Sequence, residues 1–146
     1  MYFPILRGRQ FELLALRECI NKGFLSSKII PIIEPVKISS TYTKTVDSFI
    51  KADKPIAIIR NPQVGSWVKD SKKESNVKIC EQVNEQFKNI NVISSFYVTP
   101  RLSADIELAE NNGISIDSII LLCNNPEYVG DYEEIIADNI PLYNVI

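Results

Sequence analysis

Residues 28–37 read KIIPIIEPVK. A run of β-branched apolar residues, broken once by Pro31, stops abruptly at a carboxylate, Glu34, followed by Pro35 and Lys37. Strands with one wet face alternate apolar and polar side chains, whereas a continuously apolar strand is buried on both faces, as in a parallel sheet covered by helices. The stretch therefore predicts a buried strand over 28–34 that emerges from the core at Glu34, where Pro35 keeps it from continuing regularly.

Outward from this stretch the pattern repeats. Segments 2–6 (YFPIL), 55–60 (PIAIIR), 91–98 (NVISSFYV), 118–123 (SIILLC) and 141–146 (PLYNVI) read as further strands, most of them apolar throughout. Helical spacing fills the intervals. In 9–22, Leu13, Leu16 and Ile20 share a face that Phe11 and Leu14 widen, and Tyr42, Val46, Phe49 and Ile50 repeat it after a Ser39-Ser40-Thr41 cap region. Residues 70–89 predict a helix that buries Val77, Cys80, Val83 and Phe87 and turns charges such as Lys73, Lys78 and Glu85 to water. Thr99-Pro100 and Asn125-Pro126 each offer a cap followed by proline at the first helical position, and Asn112-Gly113 offers a stop. Asp131 with Glu134 is an alternative start for the last helix, leaving 126–130 as loop or a 3₁₀ turn.

Strict alternation of strand and helix means parallel crossovers, because parallel neighbours cannot be joined by a tight turn. The predicted class is α/β, with a parallel sheet of βα units forming a single domain over 1–146. Two architectures fit: a partial TIM-barrel-like (β/α) fold and a flavodoxin-like doubly wound open sheet. Pro4 and Pro31 interrupt their strands, and the chain stops on the apolar segment 141–146 without a closing helix; both features favour the partial barrel, its remaining units lost or carried by another chain.

Composition narrows the chemistry. The 146 residues are 45% hydrophobic, enough to furnish a packed core. Net charge is −2 and no basic block exceeds Lys72-Lys73, so a nucleic-acid surface is not expected. No apolar run approaches the ~18 residues of a membrane span, and MYFPILRGRQ has the wrong order of charge and apolar residues for a secretory signal. Cys19, Cys80 and Cys123 lie far apart in apolar-patterned segments, which predicts free buried thiols in a reducing compartment, the cytoplasm. Histidine is absent, which removes Ser-His-Asp and Cys-His pairs and the usual zinc sites; no metal or cofactor is predicted. Neither G-x-G-x-x-G nor G-x-x-x-x-G-K-[ST] occurs, so the common glycine-rich phosphate cradles are missing as well.

The opening YFPILRGRQFELLALRE, followed by KIIPIIEPVK, resembles the N-terminal part of the phage beta-protein-like family of bacterial and phage proteins, and PIAIIRNP and YVTPRLS follow in compatible order. The resemblance implies a barrel-like α/β fold and a setting among phage, mobile-element or defence genes, with no assigned chemistry. This chain ends earlier than members of that family.

In either architecture a ligand is expected at the carboxyl edge of the strands. Standing there are Arg7, then Glu34 with Lys37 behind it, then Arg60 and Asn61, then Thr99 with Arg101, then Cys123 and Asn124. The candidate ligand-binding set is accordingly Arg7, Glu34, Lys37, Arg60, Asn61, Arg101 and Asn124. Two readings of Glu34 compete. Either Arg7 or Arg60 neutralises it, or it orients a ligand within a cationic mouth of Arg7, Arg60 and Arg101 suited to phosphate or carboxylate. The loop NPQVGSWVKD (61–70) holds the only tryptophan and is either a lid or a packing element. Cys123 reads as a buried, inert thiol.

Two functions follow. The first is a scaffold or interaction component of a phage or mobile-element system, meeting a protein partner or a second copy through an open sheet edge at Leu142–Ile146. The alternative is an enzyme or binding protein for an anionic small molecule at the strand ends.

Overall fold

Pro4 and Pro31 set where the first two strands begin. In the computed structural model, which describes residues 1–137 and 139–146, β1 (Ile5–Arg7) and β2 (Ile32–Glu34) each start immediately after a proline. A lone parallel bridge, Tyr2 to Ile29, marks the same ladder upstream of both. Each proline keeps its carbonyl in the ladder: Ile32 N–H donates to Pro4 O and Ala57 N–H to Pro31 O, both at 2.9 Å. What each lacks is a donor, so the predicted long strands are divided into a bridge and a three-residue strand.

The chain forms two compact units, Met1–Ile58 with Pro62–Val92, and Ile59–Asn61 with Ile93–Ile146. The first holds β1, β2 and most of β3 (Ile56–Ile59), with α1 (Gln10–Asn21), α2 (Ser40–Lys51), a short α3 (Trp67–Asp70) and α4 (Val77–Gln86). β1 pairs with β2 and β2 with β3, both in parallel. Ile33, Ile56 and Ile58 turn to the helices, where Leu13, Leu16 and Ile20 of α1, Tyr42, Val46 and Phe49 of α2, and Val83 of α4 complete one core. The alternate residues Ile32 and Ala57 are also buried, as the unbroken apolar runs require. Ser39 caps α2 by accepting from Tyr42 N–H at 3.3 Å.

The second unit holds most of β4 (Val92–Tyr97), then α5 (Leu102–Asn111), β5 (Ile120–Leu122), α6 (Val129–Ile136) and β6 (Tyr143–Val145). β4 pairs with β5 and β5 with β6, again in parallel. Phe96, Val98, Leu121 and Cys123 pack with Leu102, Ile106 and Ala109 of α5 and Tyr132 of α6.

Strand order follows sequence order, β1 to β6, and every registered pair is parallel. The fold is therefore α/β with the strand order of a partial β/α barrel. A flavodoxin-like sheet places β1 between β2 and β3; here β2 bonds β3 directly, which excludes it.

Helix boundaries depart from the sequence pattern in three places. The 70–89 helix begins only at Val77, preceded by α3 and a 3₁₀ turn at Glu74–Asn76. Val77 is 50% exposed rather than buried, because at the first position of α4 it precedes the stripe of Ile79, Val83 and Phe87. Thr99 does not cap α5 directly: its hydroxyl accepts from Arg101 N–H at 3.2 Å, making a turn over Thr99–Arg101 that leads into the helix at Leu102. Asn125 does cap, but over a 3₁₀ turn at Pro126–Tyr128 that runs into α6 at Val129, two residues before Asp131.

Phe49, 1% exposed at the centre of the first core, tests this packing. Phe49→Ala is expected to lower unfolding free energy by about 3–5 kcal/mol, read from chemical denaturation at unchanged slope; a loss below about 1 kcal/mol would contradict the packing described.

Candidate functional site

At the carboxyl edge of the first unit, Arg7 and Glu34 are register partners at the ends of β1 and β2. Arg7 is exposed, whereas Glu34 is only 4% exposed and so requires hydrogen bonds for its carboxylate. One comes from the loop after β3: Gln63 N–H donates to Glu34 Oε1 at 2.8 Å. The backbone carbonyls of Glu34 and Val36 are also occupied. Gly8 N–H donates to Glu34 O, and Ser66 N–H to Val36 O, each at 2.7 Å.

The bonds from Gln63 and Ser66 bring the loop after β3 hard against the end of β2. Gly65 makes the approach possible: its φ is +83°, and a Cβ there would overlap the Val36 carbonyl. Two residues on, the Trp67 ring meets Tyr42 of α2 edge to face, centroids 4.9 Å apart, and packs on the first core. The far end is held by Asp70, a buried acid whose carboxylate accepts from Ser66 Oγ and Lys73 Nζ, each at 2.6 Å. Lys73, together with Ser66 and the Ile38 N–H, holds the Asp70 carboxyl below the usual range. The tryptophan loop is thus a packing element tethered along its length, and not a lid. Lys37 stands exposed on the neighbouring connection.

The second unit places Arg60 and Asn61 differently. Asn61 completes the ladder beyond β3 with its side chain: Nδ2 donates to Tyr97 O and Oδ1 accepts from Tyr97 N–H, at 3.0 and 2.8 Å. Its second amide hydrogen goes to Asp105 Oδ2 at 3.0 Å, so Asn61 has no donor left for a ligand. Arg60 lines a small groove of about 140 Å³ with Asp105, Leu108 and Asn112 of α5 and its C-cap. Arg101 is the exposed residue before α5, and Asn124 is exposed beyond β5; the cap on the following turn is the next residue, Asn125. Cys123 is buried in the second core with its thiol 3.7 Å from Asn125 O. Nearby, burial pushes the Tyr132 phenol above its ordinary range, and Cys123 adds to the rise.

Among the described residues no group of three or more His, Cys, Asp or Glu is placed to hold a metal, and no helix is long and apolar enough to cross a membrane. No protein-family model, curated protein or solved structure matches the chain.

Sequence reasoning gathered the strand-end residues but missed Gly65, Ser66 and Asp70, which shape the rim of the first unit. A signal was present: Gly65-Ser66 between apolar residues, with Asp70 four residues after Ser66, is turn chemistry followed by a short helix.

Gly65→Ala is expected to cost at least the ~1–3 kcal/mol of a strained backbone position and to red-shift Trp67 fluorescence as the loop lifts. Wild-type stability and spectrum would show that the loop is not clamped there. Asp70 supplies a pH test. Because its folded-state value is lowered, its contribution is present above the ordinary carboxylate range and lost as pH falls through the folded value. Asp70→Asn should therefore lower the melting temperature at pH 7 and flatten the acid limb of the stability profile, whereas parallel profiles for both proteins would remove Asp70 from that role.

Proposed function

We infer that the chain is an interaction component that docks a protein strand along β6, in a phage or mobile-element system within a reducing cytoplasm. The setting rests on the likeness of residues 2–37 to the phage beta-protein-like family, and the compartment on three free thiols. The observation that carries the docking reading is the character of the β6 edge. β6 has one neighbour, β5, in the strand order. Tyr143 N–H and Val145 O are turned toward β5, bonding Ile119 O and Cys123 N–H. By alternation Asn144 turns its own N–H and C=O to the other side.

Soluble proteins blunt such edges with charge or proline. β1, the other end of the order, carries Arg7 in the strand and Arg9 just beyond it. From Asn139 to Ile146 there is no charged side chain, and Ile140 and Ile146 are 83% and 88% exposed. An uncharged edge flanked by exposed isoleucines suits strand addition, in which main-chain bonds supply affinity and alternate side chains supply selectivity.

Asn144→Pro removes the outward N–H without touching the bonds that Tyr143 N–H and Val145 O make to β5. Light scattering over a concentration series is expected to give more than one chain per particle for the wild type and a single chain for Asn144→Pro at equal melting temperature. A wild type that stays monomeric, and whose complexes with candidate phage proteins are indifferent to Asn144→Pro, would overturn the reading.

A further inference from the structure

We propose that the tethered loop after β3 is a binding groove for a small amphipathic anion, a phosphate monoester or carboxylate with an apolar body. The proposal rests on residues of the first unit and uses none of those at β6. Pro62, Val64, Gly65, Trp67 and Val68 line a cavity of about 410 Å³ whose polar flank carries Lys69 and Lys72. That volume lies within the ~300–1,000 Å³ of small-molecule sites, which are mostly apolar with a few placed polar groups.

Three features separate this groove from an ordinary surface dip. Its backbone is fixed before any ligand arrives, through Glu34 to Gln63, Val36 to Ser66, and Asp70 to Ser66 and Lys73. A preformed wall spares the ordering cost that a mobile loop would impose on binding. Its apolar lining is open to a ligand, since Val68 is 56% exposed on a segment otherwise anchored to the core by Trp67. Its charge is one-sided: the segment 61–73 carries three lysines against one aspartate, in a chain of net charge −2. The aspartate is satisfied by Lys73, while Lys69 and Lys72 form no ion pair among the described residues. Two unpaired ammonium groups beside an apolar wall match an anionic head joined to an apolar tail. They do not match a bare inorganic anion, which would leave the wall wet, or a neutral apolar molecule, which would leave the lysines without a partner.

Trp67 is the only tryptophan and lines the groove, so intrinsic fluorescence reports on it directly. Octyl phosphate and octanoate, kept below micelle formation, are optically silent probes of the two head groups; inorganic phosphate and 1-octanol test head and tail alone. Saturable fluorescence change with either amphiphile is expected, and the two arms tell which head group is preferred. The exposed double variant Lys69→Gln/Lys72→Gln should keep the wild-type melting temperature and bind about ten-fold more weakly, the loss of two solvent-facing charge contacts. No saturation with either amphiphile, equal binding of 1-octanol, or a double variant with wild-type affinity would each overturn the proposal.

Discussion

A parallel strand pair cannot be closed by a tight turn, and this constraint governs both units of the molecule. Each strand must be followed by a crossover that returns the chain to the opposite edge, and here every crossover carries a helix. All carboxyl ends within a unit therefore fall on one edge, which is why Arg7 and Glu34 stand side by side in register. The same constraint makes helices cover one face of the strands and calls for apolar residues at consecutive positions, as in the fully buried Ile32–Ile33 and Ile120–Leu122.

Burying Glu34 at that edge has a local consequence. A carboxylate in a nearly dry position must be hydrogen-bonded, and one bond it takes is the N–H of Gln63, from a loop that would otherwise be free to move. Gly65 then lets the loop lie against Val36 where any side chain would collide, and Trp67 and Asp70 complete the attachment. An acid that looks from its surroundings like a catalytic or ligand-orienting group is thereby used to build a wall. Val68, Lys69 and Lys72 are among the residues that this wall leaves facing solvent, and the proposed groove is built on them.

The two ends of the strand order are unlike each other. β1 carries arginine in and just after the strand, the usual protection of an edge, whereas residues 139–146 around β6 hold no charged side chain. An edge of that kind is costly to leave bare, because its N–H and C=O groups and its apolar side chains all gain from a partner strand. The two proposals therefore draw on different physics, one on side chains along a preformed wall and one on the main chain.

Much of the architecture was legible because it depends on local periodicity. Continuous apolar runs separated by helical spacing imply buried parallel strands whatever the rest of the chain does, and all six strands lie largely within the predicted segments. The helical stripes of α1 and α2 were equally plain, since Leu13, Leu16, Ile20 and Tyr42, Val46, Phe49 repeat at the helical period. What the sequence could not contain was contact between positions far apart in the chain. That β2 bonds β3, which excludes a flavodoxin-like order, is a pairing choice that periodicity leaves open. That Asn61 gives its amide to Tyr97 and Asp105, and that Glu34 binds the backbone of Gln63, depend on approaches across 29 to 44 residues of chain. Composition and spacing determine which residues are buried and which reach the strand ends; only folding decides which of those groups satisfy one another and which remain free, because hydrogen-bond partners are chosen by distance in space.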